Sequence, residues 1–340
     1  RIRSFEIDRC AGVELSALVE PDPGLRAGLA ADFPSVPVLH SMDDLWKDEA
    51  TARRTAGIWC CTGTGIHEQV VVEGAAHGKD VAVEKPVAAS VPEILRCYDA
   101  CAQAGVELFC SYQRRFDPAY GALKERCVDK LGDIASIHAV FRDHPMPSID
   151  FLLSGGDIFH DLMVHDMDYI RWITGDEPVH LLALGTSFVP ELRAAGVLDT
   201  ATVMLRLRSG TSVTMELSRH SAYGYDQRIE CFGSKGCRAA VQNPRAVEWE
   251  WSGPGGSQSA PLPHSFPQRF RQAYAAEVAH FGEVLRGHAR PEFTQKDAIR
   301  VAVIAEAAKQ SASTGRLFKL CYDTAVPTFR PVESVSSTSC

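Results

Sequence analysis

Short runs of β-forming residues alternate with helical segments through the first third of the chain. The predicted strands are 13–19, 57–62, 80–83 and 106–112. Two helix starts are easily identified, Asp22 before Pro23 and a capping box that runs from Ser90 to Glu93. Strands that alternate with helices predict a doubly wound parallel sheet, because right-handed crossovers carry each helix over one face of the sheet.

The pattern changes after residue 114. A predicted strand at 134–142 and a helix at 156–172 are followed by strands at 180–188, 200–207, 212–218 and 227–232. Successive strands with few helices favour a largely antiparallel sheet in a second domain. We therefore predict a first domain over 1–114 and a second over 115–320. We expect the C-terminal helices at 273–286 and 295–313 to pack back, and a loose tail to cover 321–340.

Composition narrows the possible partners. The net charge is −8, no block of Lys and Arg stands out, and no apolar run approaches the roughly 20 residues of a membrane helix. We therefore expect neither nucleic acid nor membrane as a partner. The 11 cysteines contain no CxxC pair, which disfavours a zinc site or a disulfide framework and indicates a cytoplasmic protein.

An acidic residue, Glu20, stands at the end of the first predicted strand. In a dinucleotide-binding sheet such an acid binds the ribose hydroxyls, and it lies about 20 residues beyond a glycine-rich turn. Residues 1–56 contain no GxGxxG. We therefore expect the first strand and its phosphate-binding loop to lie upstream of Arg1. The alternatives are true loss of the loop, and an exposed acid in an ordinary turn.

Two further segments follow buried-looking strands, at the sheet edge where cofactors bind. The loop from Thr62 to His67 offers backbone groups and an imidazole to a cofactor, or it is a plain connection with a surface histidine. In Glu84-Lys85-Pro86 the ammonium of Lys85 could bind a substrate hydroxyl and favour its alkoxide. A solvated surface lysine is the alternative.

The segment from Ser154 to Asp168 carries the strongest chemical pattern. Asp161 and His165 are four residues apart, so on a helix they share one face. A carboxylate that orients an imidazole is a common general-base arrangement, since histidine titrates near neutrality. The same two residues could instead only stabilise the helix. A metal site is disfavoured because neither an HExxH pattern nor a third ligand is present.

Taken together, these segments resemble the Gfo/Idh/MocA oxidoreductases. The motifs that carry the resemblance are GKDVAVEKP at 78–86, YQRRFDP at 112–118 and SGGDIFHDLMVHDMD at 154–168. The segment AYGYDQRIECFGSKG at 222–236 is similar to the corresponding part of bacterial inositol 2-dehydrogenases. The resemblance implies an N-terminal Rossmann domain and a C-terminal domain with a mixed, largely antiparallel open sheet.

The resemblance also implies NAD as cofactor, a homo-oligomer formed through the C-terminal sheet, and a set of site residues. The implied catalytic residues are Lys85, Asp161 and His165. The implied cofactor-binding residues are Glu20, Thr62, His67, Glu84 and Gln113. The implied substrate-binding residues are Arg115, Asp143, His144, Tyr223 and Tyr225.

The function expected from the resemblance is NAD-dependent oxidation of a secondary hydroxyl on a cyclic polyol or sugar. Myo-inositol, oxidised to a 2-keto-inositol, is the first candidate substrate. A non-catalytic regulator that senses a sugar or NAD on the same fold is one alternative. A dehydrogenase of another sugar or of a glycoside is another.

Overall fold

The chain folds into two units that interleave along the sequence. The computed structural model describes residues 1–244, 249–254 and 256–333. The first unit contains Arg1–Phe116 and Gln272–Gln295, and the second contains 117–271 and 296 onward. The first break in the chain thus falls two residues after the predicted boundary, and a later stretch returns to the first unit.

The first unit contains short parallel strands. They are β1 Leu18–Val19, β2 Val38–Leu39, β3 Gly57–Cys60, β4 Asp80–Glu84 and β5 Leu108–Ser111. β1 pairs with β2, and β3, β4 and β5 form a separate ribbon in that order. Val81, Ala82 and Val83 of the middle strand β4 are fully buried, as expected for a strand covered on both faces. The predicted parallel sheet is confirmed, although β1 is much shorter than 13–19.

Six helices of the first unit precede residue 105. They are α1 Ile2–Arg9, α2 Pro23–Asp32, α3 Met42–Lys47, α4 Glu49–Arg54, α5 Thr64–Ala76 and α6 Val91–Ala104. The predicted helix starts are confirmed: the Asp22 side chain accepts from the Leu25 amide, and Ser90 and Glu93 form a reciprocal capping box. A 3₁₀ turn at Gln113–Phe116 ends this part of the chain.

The second unit contains short helices early in its sequence and a long one near its end. In chain order, the helices from Pro118 on are α7 Pro118–Ala122, α8 Val128–Leu131, α9 Ile149–Ser154, α10 Val164–Thr174, α11 Pro190–Ala194, α12 Phe266–Arg269, α13 Arg271–Leu285 and α14 Gln295–Thr314. π-helical turns at Leu123–Cys127 and Phe159–Met163 precede α8 and α10. From Gln272 on, α13 belongs to the first unit, where Phe281 and Val284 pack against Ala82 and Phe109.

An eight-stranded sheet dominates the second unit. In chain order, the strands of this unit are β6 Ile134–Arg142, β7 Pro178–Thr186, β8 Thr200–Leu207, β9 Ser212–Ser218, β10 Asp226–Gly233, β11 Arg238–Val241, β12 Glu250–Gly253, β13 Gly256–Ser259, β14 Phe318–Cys321 and β15 Thr328–Pro331. β12 and β13 form a separate hairpin, and the other strands form the sheet. The order is β11-β10-β6-β9-β8-β7-β14-β15. β6 and β9 are parallel and the other neighbours are antiparallel. The predicted mixed, largely antiparallel sheet is confirmed.

The two faces of this sheet differ in how far their side chains are exposed to solvent. Along β8, Val203 and Leu205 are buried whereas Met204 between them is 56% exposed, which is the alternation of a strand with one covered face. α14 lies on the covered side, where Ser311 Oγ accepts a hydrogen bond of 2.9 Å from the Ala183 amide. Leu184 and Phe232 also expose apolar side chains.

The prediction of a loose tail over 321–340 is wrong for the described residues. β15 pairs with β14, with Phe318 opposite Pro331, and the rings of Phe318 and Phe329 lie 5.8 Å apart. The polar composition of the C-terminal residues led to this prediction, although the short run around Phe329 is β-forming. Such a run becomes a strand when an adjacent strand is available to pair with it. Residues 334–340 lie outside the described part of the chain.

Across the described residues, no helix combines the length and the apolar character needed to cross a bilayer.

A buried ion cluster fixes the C-terminal end of α10. Arg171 donates to both carboxylate oxygens of Glu177, each at 2.8 Å, and to Asp297 of α14 at 3.2 Å. Burial acts against the charge of Arg171, and the hydrogen bonds and ion pair with Glu177 overcome it, so the pKa of Arg171 is raised. The cluster therefore connects α10, the loop that follows it and α14.

We predict that Arg171→Ala lowers the free energy of unfolding by about 1.5–3 kcal/mol, because it removes the charged hydrogen bonds to Glu177 while Arg300 still pairs with that carboxylate. Urea denaturation followed by fluorescence measures the change. The control is Arg53→Ala, which breaks an exposed i,i+4 pair with Glu49 and should alter stability little. Equal losses in the two variants would contradict the prediction.

Candidate active site

Glu20 lies at the carboxyl end of β1, as predicted. Its amide donates to the Leu39 carbonyl at 3.0 Å, and its Oε1 accepts from the Asp22 amide at 2.9 Å. Arg26 Nη1 donates to the carbonyl oxygens of Glu20 and Pro21, at 2.9 and 2.6 Å. The acid is thus held in a tight turn with a guanidinium beside its backbone.

The loop after β3 opens helix α5 without a side-chain cap. Gly63 is the N-cap residue, and no side chain accepts from the first-turn amides. A β-carbon built on Gly63 or Gly65 would meet no atom within 4 Å, so the loop borders open space. Uncapped amides at a helix start suit an anionic or polar ligand group. These features fit a dinucleotide at the carboxyl edge of the sheet.

His67 joins the two loops that follow β3 and β4. Its Nδ1 lies 2.8 Å from the Pro86 carbonyl oxygen, and its Nε2 lies 3.1 Å from the Thr62 carbonyl oxygen. A neutral imidazole donates to one of these oxygens, whereas the cation donates to both. The side chain is buried. His67 therefore positions the Thr62 loop and the loop that carries Lys85.

Lys85 directly follows β4 and is half-buried. The preceding Glu84 accepts a hydrogen bond of 2.7 Å from Arg3 of α1. Arg3 also forms an ion pair of 2.6 Å with Glu277 of α13, and Ser111 donates to the same carboxylate at 2.9 Å. Burial raises the pKa of Glu277 to about 7, although the Arg3 guanidinium acts in the opposite direction.

The sequence did not indicate the Arg3 cluster, because Arg3 and Glu277 are separated by most of the chain. The guanidinium also lies over the rings of Trp59 and Tyr274, at 4.6 and 4.5 Å. The carboxyl ends of β4 and β5 are therefore bound to α1 and α13 by one buried arginine.

The turn after β5 carries two of the predicted binding residues. Gln113 Nε2 donates to the Tyr274 hydroxyl at 3.4 Å. Arg115 Nη1 donates to the Glu292 carbonyl at 2.7 Å, and its guanidinium lies 5.0 Å from the Phe293 ring. Both side chains are buried within the first unit. Their contacts with cofactor and substrate remain predictions.

In the second unit, the predicted helix at 156–172 begins as a π-helical turn and continues as α10. Asp157 caps its start, accepting from the amides of Phe159 and His160 at 3.0 Å and from His160 Nδ1 at 2.8 Å. Burial acts to raise the pKa of Asp157, but the hydrogen bond and charge of His160 lower it to about 2. Asp157 therefore stabilises the start of the helix.

His165 is buried on α10 with only 7% of its surface exposed. Its ring meets Phe141 edge-on at 6.3 Å, and Phe141 in turn meets Tyr225 at 5.7 Å. The next residue, Asp166, accepts a hydrogen bond of 3.0 Å from Gln227. The imidazole therefore lies against the Phe141 ring in a largely buried position, from which a histidine can act as a general base.

Asp161 is held by a residue that the sequence did not indicate. Arg219, directly after β9, donates from Nη1 to Asp161 Oδ2 at 2.5 Å. The Arg219 side chain is 1% exposed. Because 58 residues separate the two, no local spacing pattern marks the pair.

The remaining predicted substrate residues lie at the ends of β6 and β10. Asp143 donates its amide to the Ser218 carbonyl at 2.9 Å, and His144 Nδ1 lies 2.6 Å from the Ser221 carbonyl. The Tyr223 hydroxyl donates to Asp226 at 2.5 Å and lines a cleft of 490 Å³. Tyr225, in contrast, is fully buried.

Among the described residues, no group of three or more His, Cys, Asp or Glu side chains could hold a metal ion.

Two family models match this chain. The model of an oxidoreductase family with an NAD-binding Rossmann fold covers residues 3–112, and the GFO/IDH/MocA C-terminal domain covers 126–238. Fold and matches together define an NAD-dependent oxidoreductase. The chain belongs to the Gfo/Idh/MocA family, as the sequence motifs predicted.

Individual relatives agree with this assignment. The chain is 33% identical to an uncharacterized oxidoreductase of Bacillus subtilis, over 76% of each protein. It is 31% identical to an inositol 2-dehydrogenase of Rhizobium meliloti, over 75% of this chain and 78% of that protein. A crystal structure of a myo-inositol dehydrogenase from Corynebacterium glutamicum superimposes with a TM-score of 0.85 at 26% identity, covering 93% of this chain and 94% of that one.

We predict that His67→Ala raises the KM for NAD roughly tenfold, because the hydrogen bond of about 1 kcal/mol that the imidazole donates to one loop carbonyl, and its contact with the other, no longer fix the loops. Initial-rate kinetics with varied NAD measure the change. His77→Ala is the matched control, since His77 lies just past the other end of α5 and stacks on Trp46. An unchanged KM in His67→Ala would show that the imidazole does not position these loops.

Proposed function

We propose that this oxidoreductase oxidises a secondary hydroxyl of a cyclic polyol, with myo-inositol as the first candidate. The observation that carries the proposal is the buried His165 on α10, close in sequence to Asp161 and within the part that matches the family's C-terminal domain. The segment at 222–236 and the relative from Rhizobium meliloti that is named inositol 2-dehydrogenase support the choice of polyol.

His165 removes the proton of the reacting hydroxyl. Histidine suits this step because its ordinary pKa lies near neutrality. Asp161 orients the imidazole and stabilises the cation that forms when it takes the proton. Bound NAD supplies the acceptor for the hydride that leaves the carbinol carbon, so the products are a ketone, NADH and one proton.

Lys85 stabilises the negative charge that develops on the substrate oxygen. Its ammonium carries three donors at the end of β4, on the sheet edge where cofactors of this fold bind. A fixed positive charge beside the oxygen is worth more in a site without bulk water than in solution. Lys85 therefore favours formation of the alkoxide, from which the hydride leaves more readily than from the neutral alcohol.

The remaining predicted residues complete the proposal. Glu20, Thr62, His67, Glu84 and Gln113 hold the cofactor. Arg115, Asp143 or His144, and Tyr223 bind the polyol, whereas the fully buried Tyr225, the alternative to Tyr223, packs against Phe141. The open space at Gly63 and Gly65 supports the placement of NAD at the loop after β3.

We also propose that the eight-stranded sheet forms a homo-oligomer contact through its exposed face. Leu184, Met204 and Phe232 expose 58%, 56% and 44% of their surfaces there. Large apolar side chains on a sheet face are typical of surfaces that pair with a second copy.

We predict that the protein reduces NAD with myo-inositol and that Lys85→Met lowers kcat by at least about 100-fold while the fold is retained. NADH absorbance with a panel of inositols and aldoses measures both. Lys79→Met, at the opposite end of β4, is the matched control and should keep the activity. Activity confined to aldoses would contradict the polyol assignment, and wild-type turnover in Lys85→Met would contradict the mechanism.

We predict that Glu20→Gln lowers the preference for NAD over NADP by about tenfold or more, because it removes the charge that repels a 2′-phosphate. Arg26, already bound to the Glu20 carbonyl, would then face that phosphate unopposed. The ratio of kcat/KM for the two cofactors measures the change. Glu14→Gln, which alters an exposed ion pair with Arg54 in the same unit, is the control. A wild-type preference for NADP would contradict the role of Glu20.

A further inference from the structure

We propose that Arg219 is a positioning residue of the reaction, which fixes the Asp161 carboxylate so that it can orient His165. This inference rests on the proposed function, in which His165 is the general base. It adds a residue that neither the motifs nor the helical spacing indicated.

Arg219 is itself rigidly placed. It follows β9 directly, and its amide donates to the Asp199 carbonyl at 2.8 Å, next to the start of β8. Its side chain is almost fully enclosed, with 1% exposed. A guanidinium placed at the end of a strand inside the sheet is a firmer support than one on a mobile loop.

The guanidinium bridges two points of the helix start. Nη1 donates to Asp161 Oδ2 at 2.5 Å, and Nη2 donates to the carbonyl oxygen of Gly156. The planar guanidinium fixes the direction of both bonds, which a lysine could not do. Arg219 thus holds one oxygen of Asp161 and the backbone that precedes it in a single geometry.

Two glycines precede the helix at the point of this contact. Gly155 has φ of +149°, in the region that favours glycine. A β-carbon on Gly156 would lie 3.0 Å from the Phe151 ring, and 3.5 Å from Arg219 Nη2 in ordinary contact. The guanidinium therefore packs closely against the backbone that it binds.

The charges nearest Arg219 belong to proposed site residues. Asp161 lies at 2.5 Å, and Asp143, a proposed polyol-binding residue, at 3.9 Å. Arg219 thus balances carboxylates that would repel one another if both were ionised without it. A residue used only for packing would not need to reach both.

The test is a double-mutant cycle on kcat with myo-inositol. Asp161→Asn, Arg219→Met and the double variant are compared with the wild type at saturating NAD. We expect Arg219→Met to lower kcat about tenfold or more, with little change in the KM for NAD. In the Asp161→Asn background the same change should cost less than about twofold, because the contact it removes has already been weakened.

The control is Arg269→Met. Arg269 also forms a buried ion pair in the second unit, 2.7 Å from Asp117, with 5% of its side chain exposed. It should lower stability, as Arg219→Met does, and leave kcat unchanged. If Arg219→Met does not fold, as judged by circular dichroism, the same cycle is measured with Arg219→Lys.

The outcomes separate the two proposals. Full activity in both Asp161→Asn and His165→Ala would overturn the proposed function. A loss in those variants with additive effects of Arg219→Met and Asp161→Asn would overturn only the role of Arg219. An equal loss of kcat in Arg269→Met would do the same, since it would reflect general destabilisation.

Discussion

A buried guanidinium needs carboxylate or carbonyl oxygens to balance its charge, and this constraint organises the second unit. Arg171 joins α10 to the loop beyond it and to α14, and Arg269 binds Asp117 at the start of α7. Arg219 joins the end of β9 to the helix that carries His165. Each arginine connects segments that are distant in sequence, so the helix with the reactive residues is held at both its ends.

Local patterns predicted the architecture well. The strands predicted at 134–142, 200–207 and 212–218 are β6, β8 and β9 with the same bounds. Runs of β-forming residues are signals that act over a few residues, so they can be read directly from the chain. The same holds for the capping residues Asp22 and Ser90. The motifs also placed Lys85 and His165 correctly, at a strand end and on a helix.

What could not be predicted depends on contacts between distant residues. The spacing of Asp161 and His165 indicated a shared helical face, but not the π-helical turn before α10 or the arginine that reaches it. His67 was predicted from its place in the loop after β3, but the spacing did not indicate that its ring nitrogens contact carbonyl oxygens of two different loops. β15 forms only because β14 offers it an edge. No window of neighbouring residues contains this information.

Gly156 limits how this site could be redesigned. A β-carbon at 156 would make an ordinary contact with the enclosed Arg219 guanidinium at 3.5 Å, but it would press on the Phe151 ring at 3.0 Å, and this ring is 49% exposed and could turn away. Alanine at 156 therefore requires Phe151 to move, whereas longer side chains would extend toward the support of Asp161. Tyr223 is less constrained: it is 54% exposed beside the 490 Å³ cleft, so a larger or smaller side chain there meets solvent and not the support of Asp161.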